Sequence, residues 1–232
     1  MTIINRHVNP LNITGVLFDL DGTLVDTAPD LVNALNLALS EHGYPTKSLE
    51  QVRDAASNGS LALVNAAQPS LSDDEKALIQ QALLTHYARV NGDHAVLFDG
   101  IARLLDYLEQ YQIPFGVVTN KAARFARPLL AKLNLVSLMP AIISGDSTYY
   151  SKPNAAPMLL AAQQLKCAPT SVLYIGDARR DLEAAHSANM LGAIAMWGYL
   201  AQTDDPTTWP QDFSFSGPEE IIALLTRANL NR

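Results

Sequence analysis

The sequence holds one cysteine, Cys167, in 232 residues, so no intramolecular disulfide can form and a reducing, cytoplasmic setting is expected. The neighbourhood of that thiol, Gln-Leu-Lys-Cys-Ala-Pro, has no activating pattern, and Cys167 reads as a packing or surface residue. Long apolar runs are missing too. No stretch approaches the roughly 18 uninterrupted apolar residues of a membrane span. Residues 1–12 are polar and carry Pro10, with no cationic segment leading into an apolar one, so no signal peptide is expected. Runs of Lys or Arg are also absent. With a formal net charge of −7, this argues against nucleic acid as a partner. An acidic protein that takes an anionic substrate needs a local correction, either a metal ion or a few aimed cations.

What is present is ordinary globular material, 48% apolar and 17% charged. Five short apolar runs read as buried strands: Ile13–Phe18, Pro114–Val118, Ala141–Ser144, Val172–Ile175 and Ala193–Trp197. Between the later runs, apolar residues recur at helical spacing: Ile101, Leu104, Leu105 and Leu108; Leu129, Leu130 and Leu133; Met158, Leu159, Ala162 and Leu165. Asp181 to Ala188 is short and alanine-rich. Pro128 either falls in the first turn of a later-starting helix or marks a kink. Strand alternating with helix predicts an α/β fold, a Rossmann-like, doubly wound parallel sheet with helices on both faces.

Residues 26–97 differ, because no clear strand occurs there. Leu31, Leu35 and Leu39 share a helical face, Leu61, Val64 and Ala67 suggest a second helix, and Ser72-Asp73-Asp74-Glu75 has the form of a capping box opening a third. The expected organisation is a core of residues 1–25 plus 98–232 with an all-helical insert over 26–97. The tail from Gln202 to Ser216 reads as loop, and Pro218 to Ala228 as a last helix.

Four polar clusters follow strands, and in an open parallel sheet the strand ends form one crevice. Asp19-Leu20-Asp21-Gly22-Thr23 sets two carboxylates at a strand end, with Gly22 allowing the turn and a close backbone approach. Crowded carboxylates repel unless a cation joins them, and hard oxygen donors suit magnesium. In Val118-Thr119-Asn120-Lys121, the hydroxyl and nearby amides can hold phosphate oxygens, or Thr119 can serve as a helix cap. Ser151-Lys152-Pro153 precedes a helix, and by itself a single Lys there reads as a solvated surface residue. In Ile175-Gly176-Asp177-Ala178-Arg179-Arg180-Asp181, Asp177 reads as a metal ligand, and Asp181 stands one helical turn later.

These clusters, in this order, resemble the haloacid dehalogenase superfamily of phosphatases from Gly15 to about Tyr199, and the insert looks like that superfamily's helical cap. Asp-Leu-Asp-Gly-Thr-Leu-Val-Asp-Thr-Ala-Pro-Asp, Val-Val-Thr-Asn-Lys and Ser-Gly-Asp are most similar to phosphoglycolate phosphatases. Trp-Gly-Tyr-Leu at Trp197 and the following Asp-Asp-Pro-Thr-Thr-Trp-Pro resemble a sister group that acts on N-acetylmuramic acid 6-phosphate. The resemblance implies a magnesium-dependent phosphatase acting on a small phosphorylated metabolite, with 2-phosphoglycolate as the leading substrate and N-acetylmuramic acid 6-phosphate as the alternative. Asp19 would be the covalent nucleophile and Asp21 the acid and then base. Asp19, Asp177 and the main-chain carbonyl of Asp21 would bind metal, with Asp181 supporting that site from behind. Thr119 and Lys152 would hold phosphoryl oxygens, beside Gly22 and Asn120.

Arg53 and the Ser57-Asn58-Gly59-Ser60 turn resemble the cap segment that faces the active site. They read either as contacts to a substrate carboxylate or as a solvent-facing turn. His42, His86 and His94 lack metal-ligand spacing. The alternatives are a sugar phosphomutase and a non-catalytic binding protein, both on the same fold.

Overall fold

The computed structural model describes residues 12–201 and 203–230. The reading of residues 1–11 as a polar lead-in lies outside them. Six strands form one sheet: β1 (Gly15–Phe18), β4 (Phe115–Val118), β5 (Ala141–Ile143), β6 (Val172–Gly176), β7 (Leu191–Ala195) and β8 (Phe213–Phe215). The spatial order is β5-β4-β1-β6-β7-β8, and every pairing is parallel. A separate antiparallel pair, β2 (Val25–Asp26) with β3 (Val96–Leu97), stands where the chain leaves and re-enters the sheet region.

The inner strands are continuous apolar runs because both sheet faces are covered. Val16 and Phe18 pack with α5 (Ile101–Gln110), α6 (Ala123–Lys132) and α9 (Pro218–Leu230). Leu17, between them, packs on the other face with α7 (Ala156–Leu165) and α8 (Arg179–Ser187). The chain passes from β1 through β4 to β5, then crosses back over β1 to begin β6. That crossing puts the topological switch point, and hence the crevice, between β1 and β6. Phe18 is level with Val117 and with Ile175. Asp19, Thr119 and Asp177 therefore leave their strands at the same edge.

Residues 28–90 carry α1 (Ala28–Glu41), α2 (Leu49–Val52), a 3₁₀ turn over Arg53–Asn58, α3 (Ser60–Ala67) and α4 (Asp73–Val90). Leu31, Leu35, Leu39, Leu63, Ile79, Leu83 and Tyr87 form their shared core, closed on the sheet side by Phe125 and Tyr199. Ser72 and Glu75 make the expected reciprocal cap at the start of α4. Among the described residues no helix is long and apolar enough to cross a membrane.

Several expectations are corrected. β7 begins at Leu191, not Ala193, because Leu191 pairs with Leu173, and the chain has left the sheet by half-exposed Met196. The tail contains an edge strand, β8, which pairs with β7. Pro128 lies inside α6 beyond its first turn, so that helix does not start late. Leu61 and Leu159 face solvent, and nearby Leu63 and Met158 are buried.

Asp30 of α1 is fully buried and accepts from the backbone amides of Gly92, His94 and Ala95 at 2.8, 2.9 and 3.1 Å, which fixes the exit from α4 toward β3. Removing it strands those amides. We expect Asp30→Ala to destabilise the fold by about 3 kcal/mol, the scale of hydrogen bonds to a buried charged acceptor. A shift in urea midpoint worth less than about 1 kcal/mol would reject that role.

Candidate active site

Three carboxylates from strand ends and an adjoining helix meet at the switch point. Asp19, Asp177 and Asp181 each offer one oxygen, and these oxygens lie within 4.8 Å of one another. All three side chains are buried. The sequence builds this cluster through close backbone approaches. Gly22 has φ +82°, and a Cβ there would strike the Asp177 carboxylate and Tyr199. A Cβ on Gly176 would strike Asp181, and one on Gly198 would strike Asp177. In these places glycine serves packing around carboxylates.

One ammonium opposes the cluster. Lys152 Nζ lies 2.9 Å from Asp19 Oδ1 and 2.8 Å from Asp181 Oδ1, and donates to the Val118 carbonyl at 2.8 Å and to the Tyr174 hydroxyl at 2.7 Å. Leu20 N also donates to Asp19 Oδ1, at 2.7 Å. Asp19 Oδ2 receives no hydrogen bond from the described residues. The Asn120 side chain is used in holding Lys152, accepting from its backbone N–H at 3.0 Å and donating to its carbonyl at 2.9 Å. Asn120 thus clasps the second and third clusters together.

The electrostatics are unbalanced. Burial pushes Asp19 above the usual carboxylate range, and Lys152 opposes the shift without cancelling it. Burial also acts on Asp181, but Lys152 and Arg180 outweigh it and hold that group low. Asp177 has no lysine beside it, and Arg180 does not offset its burial. Burial first, then repulsion from Asp181 and Asp19, pushes it up to about 7. Its compensating contacts are hydrogen bonds from Ser57 Oγ at 2.7 Å and Tyr199 N at 2.9 Å. A buried all-oxygen donor set with surplus negative charge fits a hard divalent cation.

Asp21 stands apart from the acid cluster. Its Oδ1 accepts from Lys121 Nζ at 2.8 Å and from Thr27 Oγ1 at 2.5 Å, and its main-chain carbonyl accepts from Ser57 Oγ at 3.3 Å. Burial works against the charge on Lys121, but Asp21 and Tyr87 outweigh it and hold the group above the ordinary lysine value.

Asp19, Asp21, Thr119, Asn120, Ser57, Asn58 and Gly59 share a cavity of about 520 Å³ with Lys121, Arg124, Arg180 and Tyr87. Gly22 supports it from below without lining it. Arg53 does not reach it. Its guanidinium is paired with Asp26 at 2.8 Å and lies over the Tyr199 ring, 5.0 Å from the centroid, lining a different cavity. Lys121, Arg124 and Arg180 are site residues that sequence reasoning passed over. Lys121 and Arg180 lay within quoted motifs, but nothing in spacing shows which way they turn. Arg180 donates to the Ser57 carbonyl at 2.5 Å and to Asn58 Oδ1 at 2.9 Å, joining the helical segment to the strand-end loop.

A family model of haloacid dehalogenase-like hydrolases matches residues 16–195. The chain belongs to that family. This hydrolase is 38% identical over 206 residues to a phosphoglycolate phosphatase from Xanthomonas campestris pv. campestris, covering 89% of this chain and 93% of that one. It is 37% identical over 219 residues to an N-acetylmuramic acid 6-phosphate phosphatase from Pseudomonas aeruginosa, covering 94% and 97%. Among solved structures, a predicted phosphoglycolate phosphatase from Haemophilus somnus superposes with a TM-score of 0.81 at 26% identity, covering 92% and 98%.

The raised Asp177 gives a pH prediction with a definite sign. Between the usual carboxylate range and about 7, the native state holds a proton that the unfolded state has lost, so this group's contribution to stability falls as pH rises through that window. In chelator, Asp177→Asn should gain stability on the wild type between pH 5 and 7.5. Added magnesium should raise the wild-type melting temperature and leave the variant's unchanged. A parallel pair of stability–pH curves would refute the assignment.

Proposed function

We propose that the chain hydrolyses a small phosphomonoester through an aspartyl-phosphate intermediate at Asp19. Its class, a phosphomonoester hydrolase, follows from the family and the relatives it matches. The observation that carries the path is the lysine-held Asp19 beside a separate carboxylic acid, Asp21, in one cavity. Residues 26–97 act as a cap over it.

Lys152 and Leu20 N fix one oxygen of Asp19, orienting the carboxylate toward phosphorus. Asp19 attacks, and the bond from phosphorus to the leaving oxygen breaks. Asp21 gives its proton to the departing alkoxide, then takes one from the water that attacks the aspartyl phosphate. Phosphate leaves, and Asp19 returns to a free carboxylate. The Thr119 hydroxyl and nearby amides hold phosphoryl oxygens. Asp19, Asp177 and the Asp21 carbonyl would hold magnesium, with Asp181 behind them. When bound, the ion would neutralise the surplus charge of the cluster and stabilise charge on the phosphoryl oxygens. The acid at Asp21 favours an alkoxide leaving group over a halide, which needs no proton.

Two substrates come from the relatives, 2-phosphoglycolate and N-acetylmuramic acid 6-phosphate, and both carry a carboxylate. Arg53, expected as a contact to the carboxylate of either substrate, lies outside the cavity. The cavity's size, with an apolar wall of Leu31, Leu84, Tyr87 and Phe125, supports the larger sugar acid. Arg124 and Arg180 line it and suit a carboxylate.

Asp19→Asn should lower kcat by roughly 10⁴-fold or more, the scale of losing a covalent nucleophile, with an unchanged circular dichroism spectrum. Excess chelator should silence the wild type. A phosphate-release comparison of the two esters, run without a bisphosphate activator, separates the readings. Faster turnover of 2-phosphoglycolate would reject the larger substrate. No release without a bisphosphate would favour a mutase, and no release at all a binding protein.

A further inference from the structure

Lys121 is a buried cation on the cavity wall, and the reaction as derived does not use it. Its side chain is 8% exposed. Burying an ammonium so fully is costly unless it is paired, and its pairing is specific. Nζ lies 2.8 Å from Asp21 Oδ1 and 4.5 Å from the centre of the Tyr87 ring, which is carried by α4 of the helical segment. Thr27 Oγ1 donates to the same oxygen, Asp21 Oδ1. Asp21 Oδ2 receives no hydrogen bond from the described residues.

We propose that Lys121 is a positioning residue for Asp21. With Oδ1 occupied by two donors, the transferable proton is confined to Oδ2, the oxygen left to meet the leaving group. Because the Lys121 ammonium also sits on the Tyr87 ring, the acid is set only when α4 is docked against the core. The cation–ring contact thus links the helical segment to proton transfer. This rests on the reading of Asp21 as general acid.

Leaving-group dependence tests the idea, since a nitrophenolate departs without a proton and an alkoxide does not. The measurement is kcat/KM, which ends at phospho-enzyme formation. The esters are p-nitrophenyl phosphate and the faster of 2-phosphoglycolate and N-acetylmuramic acid 6-phosphate. Lys121→Met should lower kcat/KM for the alkyl ester by about 100-fold, the lower end of general acid contributions, and change the aryl ester by less than about 5-fold. Lys121→Arg should restore most of the loss. Tyr87→Phe, which keeps a ring face, should keep the wild-type ratio of the two esters, and Tyr87→Leu should lose the alkyl ester selectively. The ratio of the two kcat/KM values is independent of how much variant is folded, so poor folding cannot imitate the result. Equal losses on both esters in Lys121→Met would overturn the proposal. Asp21→Asn is the control: if it too lost both esters equally, the general-acid reading would fall. If it alone were selective, only the role of Lys121 would.

Discussion

The ion pairing of Lys152 with two aspartates is the constraint on which the site depends. Asp19 comes from the end of β1 and Asp181 from the first turn of α8, and neither could be buried beside the other without a cation between them. Lys152 occupies that place: its three N–H donate to Asp181 Oδ1, the Val118 carbonyl and the Tyr174 hydroxyl, and Asp19 Oδ1 lies in ion-pair contact at 2.9 Å, so the ammonium is fully surrounded by protein. The same contacts tie the end of β4 and the middle of β6 to the loop before α7. A single side chain thus orients Asp19 and holds three parts of the sheet edge in register. It leaves Asp177 raised to about 7 by burial and by its acidic neighbours, an imbalance that a further positive charge would relieve.

Much of this was legible in the sequence, for physical reasons that can be named. A parallel sheet buried on both faces demands apolar runs, and Val16-Leu17-Phe18 and Val172-Leu173-Tyr174-Ile175 announce themselves. The polar residues after such runs are forced to one edge, so Asp19, Thr119 and Asp177 could be grouped from topology alone. The failures occur where a local pattern is degenerate. Phe213-Ser214-Phe215 is too short to stand out as a strand, and only pairing with β7 makes it one. Leu61 and Leu63 differ by one helical face, and packing against α4 selects the second. Side-chain direction is least legible. Arg53 turns to Asp26, whereas Lys121 turns to Asp21, and no spacing rule separates the two.

The helical segment is also tied to the strand ends, because its polar atoms end on groups there. Ser57 donates to Asp177 and to the carbonyl of Asp21, Arg180 reaches back to Ser57 and Asn58, and Tyr199 Oη accepts from the amides of Thr27 and Ala28 while donating to Asp26. These contacts are short and directional, and several involve charge. They are also few compared with the apolar core that holds the segment together internally. A body that is internally packed, and joined to its base by these polar contacts and an apolar seam at Phe125 and Tyr199, can separate from it while its own fold persists. Since the Ser57 hydroxyl lies on Asp177, the docked segment relieves part of the charge that a cation would otherwise offset. Docking of the segment and the electrostatics of the acid cluster are therefore coupled through one hydroxyl, and a change in either must be felt by the other.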